Sequence, residues 1–234
     1  MKNRDHSKTS VVLVHGAFAD ASSWRKVILL LERDGFTVTA VQIPLKSLAD
    51  DVATTKRLID AQEDDVVLVG HSYGGAVITD AAAGNSKVKA LVYVAAFAPD
   101  AGEALGGLIE RFSPSTLATA LVPDSAGFLY IDRRKFQQVF ANDLTKDEAA
   151  VLAATQKPIA GAIFGEGVKD AAWKAIPSWY VVSTQDNAIN PDLERFMAKR
   201  MGAQTKEIKA SHVGFISQPT EITKVIEAAV GAAN

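Results

Sequence analysis

A serine hydroxyl becomes a useful nucleophile only when a base stands within hydrogen-bond reach and an acid orients that base. Ser72 is the serine placed for such work. It is the centre of Gly70-His71-Ser72-Tyr73-Gly74-Gly75, a G-x-S-x-G pattern preceded by the apolar run 65–69 and followed by the helix-forming stretch 76–83. Glycine two residues before and two after the serine lets a strand and a helix meet across a sharp turn without side chains colliding. The turn lifts the hydroxyl from the sheet edge and aims the next backbone N–H, that of Tyr73, at a developing oxyanion. The chain has four histidines, His6, His15, His71 and His212. His212, in Ala210-Ser211-His212-Val213-Gly214 just past a strand-like run, is the candidate base, and Asp186, in Ser183-Thr184-Gln185-Asp186-Asn187 after another, is the candidate acid. Singly these signals are weak, since an aspartate in a turn is more often an Asx-turn residue and a lone histidine more often a surface side chain. Their conjunction carries the reading.

Three residues so far apart in sequence must be gathered by the elements that bear them. Short apolar, β-branched runs predict strands over 11–14, 36–43, 65–69, 88–96, 178–183 and 205–209. Between them, Ser22-Ser23 caps a helix with Trp24, Val27, Ile28 and Leu31 on one face and Gly35 as its stop. Ser47 caps a second, with Asp50 and Asp51 in its first turn, and further helices are expected at 191–201 and 219–230. Strands alternating with helices imply an α/β fold: about six parallel strands with helices on both faces, and functional groups gathered at the C-terminal edge. From 97 to 176 the rhythm breaks for about eighty residues, too long for a structureless loop. The capping box Thr145-Lys146-Asp147-Glu148 and the amphipathic stretch 134–140 give this segment helices of its own. It is read as a helical lid inserted between the fourth and fifth strands, so that 1–96 and 177–234 form the core and 97–176 the lid.

Bulk composition bounds the chemistry. With 48% hydrophobic and 22% charged residues in 234, the chain is that of a globular protein long enough to bury a full core. A net charge of −2 gives no reason to expect nucleic acid or an anionic membrane as partner. The absence of cysteine removes disulfides, a thiol nucleophile and thiolate metal sites. No histidines stand at i, i+4 and no carboxylate cluster accompanies one, so no metal site is expected. The stretch 1–10 is polar, without the apolar region of a signal peptide, and no apolar run reaches the length of a membrane span, so a cytoplasmic protein is expected.

Several segments resemble one family. Val14-His15-Gly16-Ala17-Phe18 through Trp24, Gly70-His71-Ser72-Tyr73-Gly74-Gly75, Tyr93-Val94-Ala95-Ala96-Phe97-Ala98-Pro99, Asp186 with Pro191, and Ser211-His212-Val213 are similar to the small α/β-hydrolases that include plant methylesterases and hydroxynitrile lyases, and to their bacterial esterase-like relatives. The resemblance covers nearly the whole chain and is weakest in the lid. It implies an α/β-hydrolase fold lacking the first two strands of larger members, with the order Ser72, Asp186, His212 expected of such a triad. His15-Gly16-Ala17-Phe18 resembles the family's H-G-x segment, which assigns the second oxyanion donor to the N–H of Ala17 beside that of Tyr73. His15 and His71 are then structural, and Phe18, Tyr73, Phe97 and Leu108 would line an apolar pocket. Hydroxynitrile lyases typically carry a threonine and a lysine where this chain has Gly16 and Val213. Without that hydroxyl and cation a leaving cyanide loses its stabilisation. The resemblance therefore implies a carboxylesterase-like serine hydrolase acting on small to medium esters through an acyl-enzyme, with no cofactor. A ligand receptor on the same fold, and a lyase or carbon–carbon hydrolase on the same triad, are the alternatives. An exposed lid helix is compatible with a homodimer without demanding one.

Overall fold

A computed structural model of the protein describes residues 9–233. His6 and most of the polar stretch 1–10, on which the absence of a signal peptide was read, lie outside the described residues. The chain runs β1 (Thr9–Val14), α1 (Arg25–Arg33), β2 (Thr37–Val41), α2 (Leu48–Asp60), β3 (Asp65–His71), α3 (Tyr73–Ala81) and β4 (Val88–Val94). There follow α4 (Leu105–Ile109), β5 (Leu121–Pro123), β6 (Phe128–Ile131), α5 (Phe136–Phe140), α6 (Lys146–Thr155) and β7 (Ile159–Ala160). The last part is β8 (Ser178–Ser183), α7 (Pro191–Met201), β9 (Gln204–Ile208), α8 (Gly214–Ser217) and α9 (Pro219–Ala233).

Six of these strands make one parallel sheet in the order β2-β1-β3-β4-β8-β9. Its middle strands carry unbroken apolar runs, 11–14, 66–69, 90–94 and 179–182, rather than alternating because both faces are covered. α1 packs with α9 on one side and α2 with α3 on the other. β1 is buried at every residue, whereas the edge strands β2 and β9 are half exposed and carry Thr, Gln, Lys and Glu, which discourage edge pairing. The register places Val14 beside Val41 and Gly70, so the loops that follow β1, β2 and β3 leave the sheet at one level.

Two local expectations change. The first helix is capped not by Ser22-Ser23 but by Asp20, whose carboxylate accepts the Ser22 N–H at 2.7 Å and starts a 3₁₀ turn, Ala21–Trp24, that feeds α1. The segment between β4 and β8 is not purely helical: β5, β6 and β7 form a three-stranded antiparallel sheet beside α4, α5 and α6. The hairpin between β5 and β6 is built from Asp124, whose side chain accepts the N–H groups of Ala126 and Phe128, and from Gly127 at φ +81°. Its signal, Pro123-Asp124-Ser125-Ala126-Gly127 between apolar runs, stands in the sequence. The capping box at 145–148 forms reciprocally at the start of α6. No helix among the described residues is long and apolar enough to cross a membrane.

Candidate active site

The turn from β3 into α3 is closed so tightly that it admits only glycine at two points. A Cβ on Gly70 would lie 2.6 Å from the Gly74 carbonyl oxygen, and one on Gly74 2.6 Å from that of Val14. Ser72 between them is held at φ 54°, ψ −126°, a conformation L residues rarely adopt. Its own N–H reaches the Val94 carbonyl, and its carbonyl accepts from Gly75 and Phe97, so the loops after β3 and β4 are tied to one another through it. The other non-glycine residues at positive φ are Phe18, Leu45 and Ala95, each in the loop after β1, β2 or β4. Backbone strain thus clusters on the sheet's C-terminal edge.

Ser72, His212 and Asp186 meet there. His212 Nε2 lies 2.8 Å from Ser72 Oγ, and His212 Nδ1 lies 2.5 Å from Asp186 Oδ2, with all three side chains buried. Asp186 Oδ1 accepts the N–H groups of Ala188 and Ile189 at 2.6 and 2.9 Å, leaving Oδ2 for the ring. In this arrangement Nδ1–H donates to the carboxylate, and Nε2 is the free acceptor for the serine proton. The loop carrying His212 is fixed from the inserted segment, where Asp143 Oδ2 accepts the Ser211 N–H at 2.9 Å and the Ser217 hydroxyl at 2.7 Å.

The other two described histidines, His15 and His71, hold loops. His15 Nε2 accepts the Ile43 N–H at 3.2 Å while Nδ1–H donates to the Gly16 carbonyl at 2.8 Å, joining the loops after β1 and β2. Burial lowers its pKa to about 4, so it stays neutral. His71 Nε2–H donates to the His212 carbonyl at 2.9 Å, and burial together with the neighbouring His212 pushes its pKa well down. The N–H groups of Ala17 and Tyr73 find no acceptor among the described residues. Both residues border the same small cavity as Ser72 and His212, about 70 Å³ in volume.

That cavity is apolar. Phe18 and Phe97 line it but Leu108 does not: it is fully buried in the core, and Ile109, one position on and about 100° around α4, faces the cavity instead. Leu117, Phe140 and Phe164 complete the wall from the inserted segment. Ile109, Leu117, Phe140 and Phe164 carry no local mark of this role, because which face of a short helix looks inward depends on what covers it. Asp51 escaped it too. Although it lies in the first turn of α2, it is fully buried, accepting the Tyr73 hydroxyl at 2.6 Å and the Leu45 N–H at 2.8 Å. Its signal was its place in the buried stripe of Leu48, Val52, Thr55 and Ile59. Among the described residues no group of three or more histidine or acidic side chains is arranged to hold a metal ion.

The fold and this edge define a class. The chain belongs to the alpha/beta hydrolase family, whose model matches residues 11–225. It is similar to methylesterase 2 of Arabidopsis thaliana, with 26% identity over 227 residues that cover 83% of this chain and 85% of that protein. It is also similar to polyneuridine aldehyde esterase of Rauvolfia serpentina, with 25% identity over 248 residues covering 92% and 93%. The crystal structure of a pyrethroid hydrolase from Sphingobium faniae JZ-2 superposes with a TM-score of 0.83 at 20% identity, covering 96% of this chain and 98% of that one, a likeness of fold.

Proposed function

We propose that this chain is a serine hydrolase that cleaves small to medium carboxylic esters through an acyl-enzyme intermediate. The observation that carries the proposal is the hydrogen-bonded line from Asp186 through His212 to Ser72, ending on a serine held at positive φ against an apolar cavity. Ser72 Oγ attacks the ester carbonyl and passes its proton to His212 Nε2. Asp186 orients the imidazole and stabilises its charge. The carbonyl oxygen, now negative, takes the N–H groups of Ala17 and Tyr73, the latter at the positive end of the α3 dipole. His212 returns the proton to the leaving alcohol, and water, activated by the same ring, releases the acid.

The residues beside the serine favour this chemistry over cyanohydrin cleavage. A Cβ on Gly16 would lie 2.6 Å from the Ser72 Cβ, so the backbone leaves no room there for the threonine typical of lyases. Val213 supplies no cation. The names of the esterase relatives lend the substrate class. Residues 97–176 act as a lid over the site, since Ile109, Leu117, Phe140 and Phe164 form its outer wall. The test is turnover of p-nitrophenyl esters of increasing acyl length by the wild type beside Ser72→Ala. A cavity of about 70 Å³ predicts that short chains are preferred, with turnover lost in the variant. No ester turnover by the wild type, joined to a rise in melting temperature with a small apolar ligand, would replace the esterase by a receptor.

A further inference from the structure

A second carboxyl lies beneath the acid of the triad. Glu194, on the buried face of α7 with Leu193, Met197 and Ala198, has no solvent exposure. Its Oε2 accepts the Ser183 N–H at the end of β8 at 3.0 Å, Oε1 has no hydrogen-bond partner among the described residues, and the Ser183 carbonyl accepts the Asp186 N–H at 3.1 Å, which brings the two acids to the same strand end. The two acids differ in what surrounds them. Asp186 collects three donors, from Ala188, Ile189 and His212, the setting of a carboxylate. Glu194 collects one. Two adjacent buried carboxyls do not both ionise, and the charge rests on the one with more donors.

We propose, resting on the esterase reading, that Glu194 is a positioning residue working as a neutral carboxylic acid, its Oε1–H directed at Asp186 and its Oε2 fixing the end of β8. It keeps the triad acid in place without adding a second negative charge beneath it. Burial, and then the charge of Asp186, push the Glu194 carboxyl well above its usual range. The groups that face it are Asp186 from the loop after β8 and Tyr180 from β8, whose hydroxyl is occupied by the backbone of Ala96. Among the described residues Arg195, on its own helix, is the cation near it, and that guanidinium is engaged outward by Glu207 and Asp192. Among the described residues no cation is thus free to hold Glu194 charged.

A neutral acid has a faithful mimic in glutamine, which offers an acceptor to Ser183 and a donor to Asp186; a carboxylate has none. Glu194→Met is expected to lower kcat at least tenfold with KM little changed, and Glu194→Gln to restore it to within about threefold of the wild type. Where kcat of the wild type falls at alkaline pH as Glu194 ionises, the glutamine variant holds its rate. Infrared difference spectra give a readout independent of turnover: a protonated-carboxyl C=O band at neutral pH, present in wild type and in Ser72→Ala and absent from Glu194→Gln. The same band in all three proteins, or a glutamine variant as impaired as the methionine one, overturns the proposal. Absence of ester turnover with the band intact would instead fault the esterase reading alone.

Discussion

Replacing Ser72 by alanine and, separately, by glycine isolates the strain stored in the turn. Both variants lose the hydroxyl bonded to His212, so their difference reports the backbone. At φ 54°, ψ −126° the residue sits outside even the left-handed helical region, which places its strain near the upper end of the range, about 3 kcal/mol. Glycine relieves that strain. It also brings roughly 1 kcal/mol of extra unfolded-chain entropy and gives up a buried methyl worth about 0.8 kcal/mol. The balance leaves Ser72→Gly more stable than Ser72→Ala by about 1 kcal/mol, which for a chain of this size is about 2–4 °C in melting temperature. Calorimetry and urea unfolding of the two variants measure it, with ester turnover abolished in both. A glycine variant that melts at or below the alanine variant would show that the turn stores no strain and that tertiary contacts do not force Ser72 into its positive-φ conformation.

Three further substitutions have defined outcomes. The Asp51 carboxyl is pushed up to about 6, chiefly by burial, with the Tyr73 hydroxyl and the Leu45 N–H pulling the other way. The folded chain then holds this proton more tightly than the unfolded one, so the group's contribution to stability is full below the ordinary carboxylate range and is lost as pH rises through about 6. Asp51→Asn should therefore flatten the fall in unfolding free energy between about pH 4 and 6, and an unchanged slope in denaturant titrations counts against it. Leu117→Ala should shift the preferred p-nitrophenyl ester toward longer acyl chains, because it widens the cavity wall. Leu108→Ala should cost about 2–5 kcal/mol of stability with the preference unmoved, since that side chain packs in the core. A shift in preference from the second variant and none from the first would reverse the assignment of wall and core.

Much of this protein was legible along the chain because the signals are local. Six apolar runs, their turn residues, the caps at Ser47 and Thr145, and the glycines around Ser72 each record a short-range constraint of period, dihedral angle or close approach. The alternation of those elements determines a parallel sheet, and a parallel sheet determines which loops share an edge, which is why Ser72, Asp186 and His212 could be named from spacing. What tertiary structure alone decided lies between distant residues. Pairing across 140 positions brings His212 to Ser72, and α7 packing on β8 sets Glu194 against the strand end at Ser183. The antiparallel sheet in the inserted segment and the turn of α4 that offers Ile109 rather than Leu108 to the cavity belong to the same class. Burial of a carboxyl, or of one face of a five-residue helix, is a property of what lies across from it. No local pattern carries that information, because the free energy of burial depends on the partner surface and not on the residue's neighbours in sequence.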